Sequence, residues 1–89
     1  MTEVNRLVPS KKFLRDAKKL PAEAKVHLAR ILTELKKDPY SGRGLKKLSD
    51  VSAGQWRLRF GDYRIRYDIQ NDEIWVITVR HRKDIHRER

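Results

Sequence analysis

The strongest constraint on the fold is a pair of alternating runs in the second half of the chain. The first run is WRLRF (56–60) and the second is YRIRYDI (63–69), with Gly61-Asp62 between them. Successive side chains of a strand point to opposite faces, so each run places apolar residues on one face and mainly arginines on the other. Two such runs around a Gly-Asp pair predict a β-hairpin.

The register of this hairpin predicts a cluster of four arginines. With Gly61-Asp62 as the loop, Arg57 lies opposite Arg66 and Arg59 lies opposite Arg64. Like charges opposed in a sheet are destabilising, and at about 4 Å each pair repels by roughly 1 kcal/mol in water. Because planar guanidinium groups bind phosphate bidentately, the cluster indicates a polyphosphate ligand. The alternative interpretation is an ordinary solvated basic surface.

The composition agrees with a basic, single-domain protein. The 89 residues predict one domain, 1–89. The net charge of +10 indicates nucleic acid, an anionic membrane or an acidic protein as partner. No apolar run approaches the roughly 20 residues of a spanning helix, so no membrane association is expected. The chain has no cysteine, and its first ten residues lack a signal-peptide pattern. We therefore expect a cytoplasmic protein without disulfides.

The first half of the chain predicts one strand and two helices. Val4 to Val8 is a short first strand, and Ser10 is placed to cap a helix with apolar residues at helical spacing. Pro21 to Lys37 predicts a second helix, which Asp38-Pro39 ends. The tight turn between them predicts a helical hairpin with one face packed on a sheet.

The remaining segments complete an α+β order, β-α-α-β-β-β. Residues 40–44 predict a loop, interpreted as a plain connector because its glycines lack the spacing of a phosphate-binding loop; residues 45–48 follow, and residues 49–54 predict a turn. Asn71-Asp72 predicts a second turn, followed by a strand from Glu73 to Arg80 that is apolar on both faces and therefore central. Trp75 of this strand and Trp56 are expected in the core. The polar tail from His81 to Arg89 predicts at most one helical turn.

Two segments together resemble the RelE/ParE superfamily of bacterial and archaeal type II toxins. They are WRLRFGDYRIRYDI and the closing VRHRKDIHR. Members typically have a basic pair on one strand, a G-x-Y-R hairpin, an apolar strand and a closing H-R-x-x-x-Y/H. The resemblance covers essentially the whole chain. It implies an N-terminal strand, a helical hairpin and an antiparallel three-stranded meander packed on the helices.

In the RelE branch, the resemblance implies a ribosome-dependent endoribonuclease that cleaves mRNA and inhibits translation. The reaction is 2′-OH attack on the scissile phosphate, with no metal and no cofactor. The family's basic positions fall on Arg57, Arg59, Arg64 and Arg82, and its terminal tyrosine position falls on His86. Guanidinium does not readily deprotonate, so His86 is assigned to proton transfer and the arginines to phosphate stabilisation. Further RNA-binding candidates are Arg66, Lys46, Lys47, His81 and Lys83, and His81 is also a second candidate for proton transfer.

The resemblance also implies partners and leaves alternatives. The expected partners are a cognate antitoxin, whose acidic or amphipathic segment wraps the toxin, and the ribosome with its mRNA. Operator DNA is expected to be bound through the antitoxin. The three histidines lack metal-ligand spacing, so no metal site is predicted. Two other functions remain open: a ParE-like toxin that inhibits DNA gyrase without nuclease activity, and a basic RNA-binding module without catalysis.

Overall fold

The computed structural model describes residues 6–40, 45–49 and 51–81. Within these residues the strands form one five-stranded sheet in the order β1-β5-β4-β3-β2. β1 pairs parallel with β5, and every other pair is antiparallel. The predicted α+β architecture with a mostly antiparallel sheet is therefore confirmed. In chain order the elements are β1 (Arg6–Pro9), α1 (Lys11–Lys18), α2 (Ala22–Lys37), β2 (Lys46–Lys47), β3 (Trp56–Phe60), β4 (Tyr63–Gln70) and β5 (Glu73–His81).

Both helices begin and end near the predicted residues. The Ser10 hydroxyl accepts a hydrogen bond from the Phe13 N–H at 3.0 Å, which caps α1. Pro21 is the N-cap of α2 rather than its first helical residue, and Asp38 follows the last turn. The buried faces of the helices pack on one face of the sheet, so the helical hairpin covers that side as predicted.

The core lies between the helices and the alternating apolar side chains of β3, β4 and β5. Its most deeply buried side chains are Leu35, Ile65, Tyr67, Ile74 and Val76. The Tyr67 hydroxyl donates a hydrogen bond to the Pro39 carbonyl at 2.8 Å, which ties the segment after α2 to the middle strand. Burial raises the pKa of the Tyr67 phenol, and the negative charge of Asp38 raises it further. The phenol is therefore a structural hydrogen-bond donor.

One strand was missed by the sequence pattern. β2 pairs with β3 at the edge of the sheet, and the Leu48 N–H donates to the Gln55 carbonyl at 2.6 Å. No strand was predicted here from the sequence. A strand of two residues is too short to show alternation, so only its pairing partner reveals it.

The last strand agrees with the prediction in position but not in all its details. β5 lies between β1 and β4, as its apolar composition predicted. It extends to His81, which was expected to begin the tail. The expectation that Trp75 is a core residue is wrong, because its side chain is on the face opposite the helices and is 39% exposed. The predicted tail beyond His81 and the start of the predicted first strand lie outside the described residues.

Candidate anion-binding site

The arginine hairpin has the register that the sequence predicted. β3 and β4 pair with Arg57 opposite Arg66 and Arg59 opposite Arg64. The alternating apolar residues of the same strands, including Leu58 and Ile65, are buried on the helix side. All four arginines therefore belong to the opposite face of the sheet, here called the open face.

A β-bulge in β5 brings a fifth arginine to the open face. The β4–β5 register runs regularly to Tyr67 opposite Val76, and then shifts so that Arg66 lies opposite Thr78 and Arg64 opposite Arg80. Without the shift, Arg64 would lie opposite Val79, and Arg80 would turn to the buried face. Arg80 was not predicted from the sequence. A signal was present, because strict alternation would have buried an arginine, which is strongly unfavourable.

Helix α1 borders the open face along the edge of β5. β1 ends opposite Val76, and beyond that point α1 contacts β5 directly. The Ser10 N–H donates to the Val76 carbonyl at 2.9 Å, and the Ser10 hydroxyl donates to the Ile77 carbonyl at 2.7 Å. The Thr78 hydroxyl donates to the Asp16 carboxylate at 2.6 Å. These bonds fix the first turns of α1 beside the arginines.

The open face contains a cavity of about 220 Å³, here called the basic cavity. Lys12 reaches it from α1, one helical turn before Asp16, and was not predicted from the sequence. Four arginines and one lysine around so small a volume create a positive potential that favours a phosphate group or another polyanion. The lining residues are Lys12, Leu48, Arg57, Arg64, Arg66, Thr78 and Arg80.

Arg66 also has a structural role in the wall of the cavity. Its Nε donates to the Gly54 carbonyl at 2.9 Å, and its Nη2 donates to the Ala53 carbonyl at 3.1 Å. The Asp68 carboxylate accepts from the N–H groups of Gly54 and Gln55 at 2.7 and 2.8 Å. Two neighbouring side chains of β4 therefore hold the 53–55 turn that leads into β3.

Three other predicted residues do not line the basic cavity: Arg59, Lys46 and Lys47. Arg59 is exposed on the open face but does not line the cavity. Lys46 pairs with Arg57 and shares its face. Lys47 lies on the helix side instead, with its Nζ 5.5 Å from the centre of the Trp56 ring.

His81 also lies on the helix side of the sheet. It pairs with Tyr63, and their rings meet edge to face with centroids 5.1 Å apart. The structure therefore does not bring His81 into the basic cavity. Arg82, Lys83 and His86 lie outside the described residues.

The side chains that line the basic cavity are suited to binding an anion and poorly suited to proton transfer. Arginine and lysine donate hydrogen bonds and positive charge but are poor proton acceptors at neutral pH. In the part of the chain that the structure describes, no cluster of three His, Cys, Asp or Glu residues could hold a metal ion. None of the described helices is long and apolar enough to cross a membrane.

Solved structures of toxins share this fold. The RelBE2 toxin–antitoxin complex of Mycobacterium tuberculosis matches with a TM-score of 0.76 and 25% identity, over 88% of this chain and 98% of that chain. The RelB–RelE complex of Methanococcus jannaschii matches with a TM-score of 0.73 and 27% identity, over 90% and 95%. The RelE–RelB complex of Pyrococcus horikoshii, at 20% identity and a TM-score of 0.77 over 89% and 96%, shows the fold alone.

The sequence itself identifies the family. A comparison with curated proteins found no match. Residues 7–86 match the family described as the ParE toxin of the type II toxin-antitoxin system, parDE. This match spans nearly the whole chain and includes every element that borders the basic cavity. The protein therefore belongs to the ParE toxin family and is a type II toxin of the RelE/ParE superfamily.

Proposed function

We propose that this toxin is a metal-independent endoribonuclease that cleaves messenger RNA on the ribosome and thereby inhibits translation. The observation that supports the proposal is the basic cavity, where five cationic side chains from α1, β3, β4 and β5 surround a volume suited to a phosphate group. A purely solvated basic surface would not need cations from four separate elements around one cavity.

In the proposed reaction, the 2′-oxygen forms a bond to phosphorus while the bond from phosphorus to the 5′-oxygen breaks. Arg57, Arg64 and Arg80 hold the non-bridging oxygens and stabilise the charge that develops on them. Arg59, which lies opposite Arg64 on the open face, and Arg82 are proposed to support phosphate binding. The products are a 2′,3′-cyclic phosphate and a 5′-hydroxyl.

The proton transfers need a group other than these arginines. One proton leaves the 2′-hydroxyl, and another must reach the departing 5′-oxygen. We assign both transfers to His86, which would accept the proton of the 2′-hydroxyl and release a proton to the 5′-oxygen, because imidazole accepts and releases protons near neutral pH.

A cognate antitoxin is the proposed regulatory partner. The similar structures from M. tuberculosis and M. jannaschii are toxin–antitoxin complexes. The net charge of +10 favours an acidic or amphipathic antitoxin segment. Contact with operator DNA is proposed to occur through that antitoxin.

Inhibition of DNA gyrase is the second candidate function. It is favoured by the match to the ParE family and by a described cavity lining without a good proton acceptor. In this case the basic cavity would bind a nucleic-acid backbone or an acidic protein surface without cleaving RNA.

In-vitro translation with primer-extension mapping of the message separates the candidates. The wild type should cut ribosome-bound mRNA and leave cyclic phosphate ends. Arg80→Ala should reduce the cleavage rate by about 100- to 1,000-fold, the usual effect of removing one donor to a developing oxyanion. His86→Ala should reduce the rate without weakening RNA binding.

The matched control is Arg30→Ala, because Arg30 is an exposed arginine of α2 on the far side of the sheet. It should cleave at the wild-type rate. Intact mRNA in the presence of wild-type toxin, combined with gyrase trapped on cleaved DNA, would replace the nuclease proposal with the second candidate. Intact mRNA without a gyrase effect, but with RNA still bound, would leave a non-catalytic RNA-binding module.

A further inference from the structure

An exposed tryptophan shares the open face with the basic cavity. Trp75 of β5 is 39% exposed, and it is paired with Asp68 of β4 and Val8 of β1. On β4, Asp68 follows Arg64 and Arg66 at the period of two that keeps side chains on one face. The indole and the arginines therefore belong to one continuous surface.

The spacing along β5 fits an extended nucleic-acid strand. Trp75 precedes Thr78 and Arg80, which line the cavity, by three and five residues. At about 3.3 Å per residue, the indole is roughly 10–16 Å from the cavity wall along the strand. This distance corresponds to a few nucleotides of extended single strand.

The indole is oriented by a hydrogen bond to Glu73, which is itself paired with Arg6. Its Nε1 donates to a Glu73 carboxylate oxygen at 3.2 Å. The other oxygen of Glu73 forms a salt bridge with Arg6 of β1. A ring fixed in this way loses little rotational freedom when a flat ligand stacks on it, which favours binding.

Both carboxylates near Trp75 already accept hydrogen bonds from other groups. Glu73 is paired with Arg6, and Asp68 accepts two backbone N–H groups from the 53–55 turn. The oxygens of these acidic groups are therefore held by Arg6 and by the 53–55 turn, and the cavity further along the face is lined by five cations.

We propose that Trp75 stacks on a base of single-stranded RNA whose phosphate, a few nucleotides away, occupies the basic cavity. The inference rests on the proposed RNA function. Every base has a π-face, so such a platform accepts different sequences, and it adds affinity without adding charge contacts. Trp75 thus places the strand along β5, and the arginines bind its backbone.

Binding of a short fluorescein-labelled uridine oligoribonucleotide to the free toxin tests this role. Trp75→Ala should weaken the affinity by about 5- to 150-fold, the effect of losing one base–aromatic stack. Trp75→Tyr should bind nearly as well as the wild type. The salt dependence of binding should be the same in all three proteins, because no phosphate contact is removed.

Two controls separate stacking from a general loss of structure. Tyr40→Ala removes another exposed aromatic side chain, which contacts Trp56 on the helix side, and should leave the affinity unchanged. A series of oligonucleotides, each with one abasic position, should contain a position where loss of the base weakens binding to the wild type but not to Trp75→Ala. That non-additivity is expected only when the missing base and the indole are in contact.

The outcomes also distinguish this inference from the nuclease proposal. Absence of mRNA cleavage with Trp75-dependent RNA binding would refute the nuclease and retain the stacking role. Equal RNA affinity of wild type and Trp75→Ala, or no RNA binding by the wild type, would overturn the stacking role. Unchanged RNA affinity with weakened gyrase trapping would make Trp75 a protein contact and would equally overturn it.

Discussion

Two glycines with the same backbone conformation offer a controlled test of the cavity wall. Gly54 has φ +68° and Gly61 has φ +57°, a region that costs an L-residue about 1–2 kcal/mol. A Cβ on Gly54 would lie 3.2 Å from Nε and 3.3 Å from Cβ of Arg66, whereas a Cβ on Gly61 would meet no atom within 4 Å. The Arg66 Cβ is fixed by β4 and cannot turn away, so Gly54→Ala must displace the turn.

The displacement, a few tenths of an ångström, should lengthen hydrogen bonds of the turn as well as strain the backbone. Moving the turn weakens the bonds of Gly54 to Arg66 and Asp68, each worth about 1.5–3 kcal/mol because one partner is charged. We expect Gly61→Ala to lower the free energy of unfolding by about 1–2 kcal/mol. Gly54→Ala should lower it by about 3–5 kcal/mol, allowing for partial relaxation.

Urea denaturation of the two variants and the wild type measures this difference. Gly54→Ala should also weaken RNA binding, because the turn positions Arg66 in the wall of the basic cavity, and Gly61→Ala should not. Equal destabilisation by the two substitutions would show that Arg66 does not contact the turn as described, and would remove the structural role assigned to that arginine.

Three further predictions address other parts of the fold. Ser10→Ala removes the cap of α1 and the bond from Ser10 to β5, and should lower the free energy of unfolding by about 1–2 kcal/mol in a urea titration. The control Thr33→Ala, at an exposed helical position, should change the free energy of unfolding little. Because folding raises the pKa of Tyr67, the free energy of unfolding of the wild type should not depend on this group below the ordinary tyrosine pKa of 10.0, and should fall by about 1.4 kcal/mol per pH unit above it. Tyr67→Phe should lack this alkaline fall. The same dependence on pH in Tyr67→Phe as in the wild type would refute the assignment. Arg80→Gln should reduce the slope of log affinity for single-stranded RNA against log salt by about 0.7, the value for one lost phosphate contact, while Arg30→Gln should leave that slope unchanged.

Local patterns were sufficient for much of the fold. Ser10, Pro21 and Asp38-Pro39 mark helix boundaries through capping and backbone restriction, which depend only on neighbouring residues. The Gly61-Asp62 loop likewise fixed the hairpin register. β2 was missed because two residues carry no period. Trp75 was misplaced because an apolar strand does not show which of its faces remains uncovered.

Alternation and a two-residue loop leave one register for the hairpin, so the amino-acid pattern was enough to predict four arginines on one face. The residues that complete this face became known from the folded chain alone. The bulge at Ile77 turns Arg80 toward the arginines and Val79 into the core, and the docking of α1 on β5 brings Lys12 to the same cavity. The bulge and the docking of α1 both depend on contacts between residues far apart in the chain. At the bulge, burial of the apolar Val79 side chain and solvation of the Arg80 charge outweigh the loss of regular strand pairing.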